Sequence, residues 1–265
     1  MPSLTLKNLE KSKKNKNSYP VAIVKGERES EYYNKVLYLN TDQNSEGETE
    51  IIIPEDVCFQ LLPNTDKDKR DVYYITGASG SGKSYIAKTI ANNYHKLYPD
   101  RKIWVVSKLD EDDTLDGIKA PVMRVKVDMI KDGIDINALS NSLIIFDDFD
   151  TISGKNGIAV QLLIDDIAIM GRKHTNNQGN ITMLILSHYL TNYKKTRIIL
   201  NESNWFVVYP QATSTHALTY LLKTHLGLEK DEVKKLKKMG RWVAFHKSYP
   251  QFLLSAHSSA VLHTE

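Results

Sequence analysis

Residues 72–84 read VYYITGASGSGKS, and few other stretches constrain a chain so strongly. A β-branched and aromatic run, VYYIT, passes without a spacer into Gly77-x-x-x-x-Gly82-Lys83-Ser84. Gly77, Gly80 and Gly82 permit a tight loop whose backbone N–H groups turn inward around an anion, and a helix that follows adds its positive end. The helix is written in the next residues. Ile86, Ile90, Tyr94 and Leu97 fall on one face, with Ala87 and Ala91 beside them for close packing on a sheet. The whole stretch Gly77, Ala78, Ser79, Gly80, Ser81, Gly82, Lys83, Ser84 and Tyr85 is therefore read as a nucleotide-phosphate cradle. In it Lys83 reaches the β and γ phosphates and Ser84 ligates Mg²⁺.

A second feature complements the first. In LIIFDDFD, residues 143–150, four apolar residues run into three acids. Isolated carboxylates are disfavoured in a core, so the run Leu143–Phe146 reads as a buried strand that releases Asp147 and Asp148 at its carboxyl end. Beside a phosphate loop, Asp147 is the expected partner of the metal held by Ser84, and Asp148 the group that orients or deprotonates an attacking water. Asp150 reads as a helix cap or a solvent-facing bystander.

Strand ITMLIL ends in Ser187 and His188, so Ser187 is a candidate γ-phosphate sensor, with His188 and Asn192 as neighbours. The loop MGRKHTNNQGN offers Arg172, Lys173 and His174 after a helix whose face is Val160, Leu163, Ile164 and Ile167. Arg172 is a candidate arginine finger for a neighbouring subunit, and Arg197, in NYKKTRIIL, is a second candidate for that role or for DNA contact. Near the end, Lys234, Lys237, Lys238 and Arg241 would share one helix face suited to a phosphate backbone. A solvated charged face is the plainer reading of the same residues. Lysines 11, 13, 14 and 16 near the start carry still less weight.

Charge is uneven along the chain. Its net value is +3, yet residues 211–265 carry 8 basic against 4 acidic side chains. Cys58 is the single cysteine, which excludes a disulfide framework or a cysteine-rich metal site and suits a reducing compartment. Apolar runs fall far short of the roughly 20 residues of a membrane span. The basic N-terminus has no apolar stretch after it, so neither a span nor a secretory signal is expected. From residue 71 strands alternate with helices, the pattern of a mostly parallel sheet covered on both faces. The expected organisation is a mobile basic arm over 1–18, a β-rich lead-in over 19–70 packed on the core, a phosphate-loop core over 71–210, and a C-terminal extension over 211–265. That extension, in the same domain, holds two helices and a hairpin formed by RWVAFHK and QFLLSA.

With these motifs in place, the chain resembles the genome-packaging ATPases of large double-stranded DNA viruses, the poxvirus type within the FtsK/HerA superfamily. The blocks that carry the resemblance are GASGSGKS, VSKLDEDDTLD, NSLIIFDDFDTI, GRKHTNN, ILSHYLTNYKKTRIILNES and RWVAFHKSYPQFLL, in that order. Together they cover most of residues 71–255. The resemblance implies an additional-strand P-loop core, with the sensor strand between the phosphate-loop strand and the Asp147 strand. It makes Lys83 and Ser84 the Walker A residues and Asp147 and Asp148 the Walker B pair, and it puts Ser187 at the sensor position. ATP and Mg²⁺ are the implied ligands. The implied partners are duplex DNA, a homo-oligomeric ring, and capsid or portal-region proteins, in host cytoplasm at viral assembly sites or in the virion. Many relatives in the wider superfamily have Glu as the second Walker B acid, where this chain has Asp148. The residues alone leave three other readings open: an AAA+ type remodeller, a small-molecule kinase, and a nucleotide-binding capsid assembly protein.

Overall fold

Alternating apolar side chains and short polar turns put the first part of the chain into strands. The computed structural model describes residues 1–8, 17–41, 47–172 and 179–262. Five strands come first: β1 (Ser3–Asn8), β2 (Ser18–Gly26), β3 (Lys35–Asn40), β4 (Glu50–Ile52) and β5 (Val57–Leu61). Four of them form an antiparallel sheet in the order β1-β3-β2-β5.

The expected mobile arm over 1–18 is thereby corrected at its start. Leu4 is fully buried, Ser3 to Asn8 pair with Asn40 to Lys35, and Asn40 donates to Thr5 Oγ1 at 3.2 Å. An alternating strand with a buried leucine has more to gain by pairing than by staying free. The lysines at 11, 13, 14 and 16 lie outside the described residues.

The phosphate-loop part follows, as β6 (Val72–Thr76), α1 (Lys83–Leu97), β7 (Ile103–Ser107), β8 (Val122–Lys126), α2 (Val127–Ile130), β9 (Leu143–Phe146), α3 (Gly154–Met170), β10 (Thr182–Ser187), α4 (Tyr193–Glu202) and β11 (Trp205–Val208). Its strands lie in the order β11-β6-β10-β9-β7-β8. The pairs β10 with β6, β10 with β9, β9 with β7 and β7 with β8 are all parallel. The fold class is the α/β one expected, a mostly parallel sheet with helices, and β10 stands between the phosphate-loop strand and the Asp147 strand.

The core of this part comes from strands buried on both faces. Every residue of β6, β9, β10 and β11 is buried, and Ile86, Ala87, Ile90, Ala91 and Tyr94 of α1 are buried with them. Tyr73 stacks on Trp205 with ring centroids 5.7 Å apart. Asn204 secures the first residues of β6, accepting from the Val72 N–H at 2.7 Å and donating to Asp71 Oδ1 at 2.8 Å. Arg70 closes the C-terminal end of α3 through bonds of 2.6 Å to the carbonyls of Ile167 and Ala168, where a cation offsets the helix's negative end.

Last come α5 (Thr215–Tyr220), α6 (Lys230–Lys238), β12 (Val243–His246), β13 (Phe252–Ser255) and β14 (Ser258–Val261). The expected hairpin is present as antiparallel β12 and β13, and the strand order continues β13-β14-β4, again antiparallel. The chain divides into two units, one of residues 66–207 and the other of 1–65 with 208–265. The N-terminal strands and the C-terminal segment thus share one unit, whereas the sequence reading attached each of them to the core.

The expected basic face on the last helix keeps Lys234, Lys237 and Lys238 and is corrected at Arg241. α6 ends at Lys238, and Gly240 at φ 141° turns the chain before Arg241, which therefore lies off the helix. Lys234 pairs with Asp231 at 2.8 Å, Lys235 with Glu50 at 3.1 Å, and Lys237 donates to Thr219 Oγ1 at 2.8 Å.

Candidate functional site

The loop after β6 is bent by glycine where the backbone requires it. Gly80 has φ 74° and Gly82, which starts α1, has φ 113°, conformations costly to any residue with a Cβ. Ala78, Ser79 and Gly80 are exposed, Gly77 is buried, and Tyr85 stands 62% exposed on the first turn of α1. Ser84 is half-buried in the same turn. The Ser81 hydroxyl is buried with no hydrogen-bond partner among the described residues, an orphan donor on the loop itself. Lys83 is buried to 6% exposure, and its ammonium bends back over the loop, donating to the Gly77 carbonyl at 3.1 Å.

The acids arrive from β9, whose buried apolar side chains hold its carboxyl end in place. Asp147 accepts from Ser107 Oγ at 3.0 Å, a hydroxyl at the end of the neighbouring strand β7. Burial, and then the adjacent Asp148 carboxylate, push the Asp147 carboxyl up to about 6. Asp148 takes a left-handed backbone, φ 43° and ψ 43°, and its carbonyl accepts from the Thr151 hydroxyl at 2.9 Å. Its carboxylate faces Lys83 Nζ at 3.6 Å through Oδ1 and His188 Nε2 at 3.0 Å through Oδ2. His188 Nδ1 lies 3.4 Å from the same Lys83 Nζ. Lys83, Asp148 and His188 thus close a triangle at the mouth of the loop.

The end of β10 is tied to the same place. The Gly77 N–H donates to the Ser187 carbonyl at 3.1 Å, and the Thr76 hydroxyl donates to the Tyr189 carbonyl at 2.9 Å, an acceptor that the Tyr74 hydroxyl also uses. Asp150, expected to be a bystander, is buried to 7% exposure. One of its oxygens, Oδ2, accepts from Ser187 Oγ at 3.0 Å, the His188 N–H at 2.8 Å and the Tyr189 N–H at 3.1 Å.

The chain is 31% identical over 252 residues to the uncharacterized protein V3 of the Sputnik virophage, across 94% of this chain and 97% of that protein. It belongs to that protein's family. No protein-family model matches the chain. Among solved structures, the cytoplasmic domain of the Thermomonospora curvata type VII secretion ATPase EccC superposes with a TM-score of 0.50 at 13% identity, over 94% of this chain and 29% of that one, a likeness of fold. The DNA-packaging ATPase B204 of Sulfolobus turreted icosahedral virus gives a TM-score of 0.47 at 13% identity, over 74% of this chain and 100% of that one. The likeness to EccC is one of fold, in keeping with the α/β class expected from the sequence.

The remaining candidates fall into two groups. Lys83, Asp147 and Asp148 meet at the mouth of the loop, whereas Ser187, fully buried, spends its hydroxyl on Asp150 and the Tyr189 carbonyl. His188 is the residue of that turn that reaches Lys83. Asn192 caps α4, its side chain accepting from the Lys194 N–H at 3.2 Å. Arg172 is exposed and pairs with Glu202 at 2.9 Å, away from the loop's own hydrogen bonds, and Arg197 lies on α4 beside a cavity of about 250 Å³ lined also by Asp165, Lys194, Lys195 and Ile198. Lys173 and His174 lie outside the described residues.

Three residues at the site were not assigned to it from sequence: Ser107, Asp150 and His188. The first carried a usable signal, since a polar residue at the carboxyl end of a parallel strand faces the crevice where ligands bind. Asp148, Asp150 and His188 also offer ligand atoms within 4.8 Å of one another. Asp150 Oδ2, Asp148 Oδ2 and both His188 nitrogens make the contacts just described, Asp150 Oδ1 is buried without a hydrogen-bond partner among the described residues, and the ammonium of Lys83 stands beside them, so the trio reads as a network. Ser84 and Asp147 fit Mg²⁺ better by chemistry, a hydroxyl and a carboxylate being the hard oxygen donors it takes.

Proposed function

We propose that this chain is a Mg²⁺-dependent ATPase that hydrolyses ATP to ADP and phosphate in an oligomeric ring and moves viral double-stranded DNA into a capsid. The observation that carries the reading is the buried Lys83 ammonium, folded over a glycine-bent loop and paired with the acid at the end of β9. The loop amides and Lys83 bind the β and γ phosphates, and Ser84 with Asp147 would hold Mg²⁺, which neutralises phosphate charge when bound. The phosphates compete with Asp148 for Lys83. Asp148, released from that pair, orients the attacking water and accepts its proton, a role for which its position beside Lys83 suits it. Arg172 and Arg197 remain the arginines proposed to reach a neighbouring subunit's site, and capsid or portal-region proteins at viral assembly sites the proposed further partners.

The test is ATP turnover with and without duplex DNA, measured together with oligomeric state. Stimulation by DNA in an oligomer is expected. Lys83→Ala should abolish nucleotide binding or turnover, and Asp148→Asn should bind ATP and hydrolyse it poorly; wild-type turnover by both variants would remove the site assignment. Mixing Arg172→Ala with Lys83→Ala subunits should restore some activity if Arg172 acts across subunits, and no recovery would remove that role.

A further inference from the structure

We infer that Asp150 is a positioning residue that sets His188, in one tautomer, between Lys83 and Asp148. The inference rests on the nucleotide-site reading above and adds to it the means by which the β10 turn is held in register with the acids. Asp150 follows the acids by two residues, yet its carboxylate turns to the next strand. Three donors converge on one oxygen, Ser187 Oγ and the main-chain N–H groups of His188 and Tyr189, and the side chain is 93% buried by its 7% exposure. Bonds to a carboxylate are roughly twice as strong as neutral ones, so this is a stiff attachment for a turn of three residues. The Asp150 carbonyl is held in addition by Lys195 Nζ at 3.0 Å, from the first turn of α4.

What the turn presents is the His188 ring. Its Nδ1 faces the Lys83 ammonium, which can only donate, at 3.4 Å, and its Nε2 faces a carboxylate oxygen of Asp148, which can only accept, at 3.0 Å. The neutral ring with its proton on Nε2 satisfies both contacts at once: Nδ1 accepts from Lys83 and Nε2–H donates to Asp148. The other neutral tautomer satisfies neither. A displacement of the turn would break both contacts together, because they lie on opposite sides of one ring. Asp150 therefore acts on Lys83 and Asp148 through His188, without touching either in the contacts described.

The experiment uses the full chain labelled with ¹⁵N-histidine, with His188→Gln to identify the His188 ring signals. The neutral ring of the wild type should show one tautomer, protonated on Nε2. Asp150→Ala should move these signals toward the mixed pattern of a mobile imidazole, and Asp150→Asn, which keeps an acceptor but loses its charge, should move them part of the way. Unchanged His188 signals in a folded Asp150→Ala protein overturn the inference; should that variant fail to fold, unchanged signals in Asp150→Asn do the same. In ATP turnover, Asp150→Ala and His188→Gln are each expected to lower kcat by about 10- to 100-fold with a much smaller change in KM. The double variant should be no slower than His188→Gln by more than about twofold, because the two residues act along one chain of contacts. Full multiplication of the two losses overturns the inference. A wild type without ATPase activity would instead count against the proposed function, and the ring signals would still decide the role of Asp150.

Discussion

Asp147 sits where a carboxylate is least comfortable until a cation arrives. Its carboxyl is pushed from 3.8 up to about 6 by burial and by Asp148. Between about pH 4 and 6 the folded chain keeps a proton that the unfolded chain has released, so this group's contribution to stability falls as pH rises through that window and the penalty is complete above it. Asp147→Asn keeps an acceptor for Ser107 and removes the charge. It should raise the Tm of the nucleotide-free protein at pH 7.5, by the equivalent of roughly 1–3 kcal/mol, with the gain shrinking as pH falls toward 4. A gain that stays constant across that range would show that the acid's burial is not the cause. At this scale the sequence was readable for Lys83, Asp147 and Asp148, whose motifs are local. It misread Asp150 as a cap or bystander and named His188 only as a neighbour of Ser187, since their partnership links residues 38 apart by way of two neighbouring strands.

Among the elements, α1 (Lys83–Leu97) was the most legible: the expected Ile86, Ala87, Ile90, Ala91 and Tyr94 are buried, while Leu97, expected on the same face, is only half-buried and Asn93 is buried unexpectedly. Two strong signals coincide there, a glycine that only a turn can use well and a sustained 3.6-residue period. Ile90 is fully buried, so Ile90→Ala should lower unfolding free energy by about 2–5 kcal/mol in chemical denaturation, and a loss below about 1 kcal/mol would mean that the helix does not pack on the sheet in this register. Two of the unread elements lack such signals. β8 is an edge strand carrying Arg124 and Lys126, with no residue fully buried, and charged edges read as loop. β14 has four residues, SSAV, too few to display an alternation. Arg241 was misplaced on the basic face for a different reason, because α6 stops at Lys238 and Gly240 turns the chain before it, and no count of lysines reveals where a helix stops.

For the whole molecule, the proposed duplex partner places a demand on the surface charge. Phosphate contacts release counterions, so affinity for duplex DNA should fall linearly with salt on logarithmic axes, losing about 0.9 in slope for each contact removed. Lys238 is an exposed lysine of α6, and Lys238→Ala should flatten the salt dependence by about that amount if this face meets DNA; a slope equal to wild type would take α6 out of the interface. No described helix is long and apolar enough to cross a membrane. Across the chain, the α/β class and the C-terminal hairpin were recoverable from pattern and the order of strands around β10 only through the family resemblance, while the grouping of both chain ends into one unit was not, because pairing between segments far apart leaves no trace in local composition. The left-handed backbone at Asp148 bears on how such chains diverge. Aspartate visits that conformation more readily than glutamate, its short side chain bonding locally to the backbone, so an exchange of Asp148 for Glu would keep the charge and add strain, about 1 kcal/mol, at the bend. The length of this one side chain therefore bears on backbone shape over 148–151 as well as on chemistry.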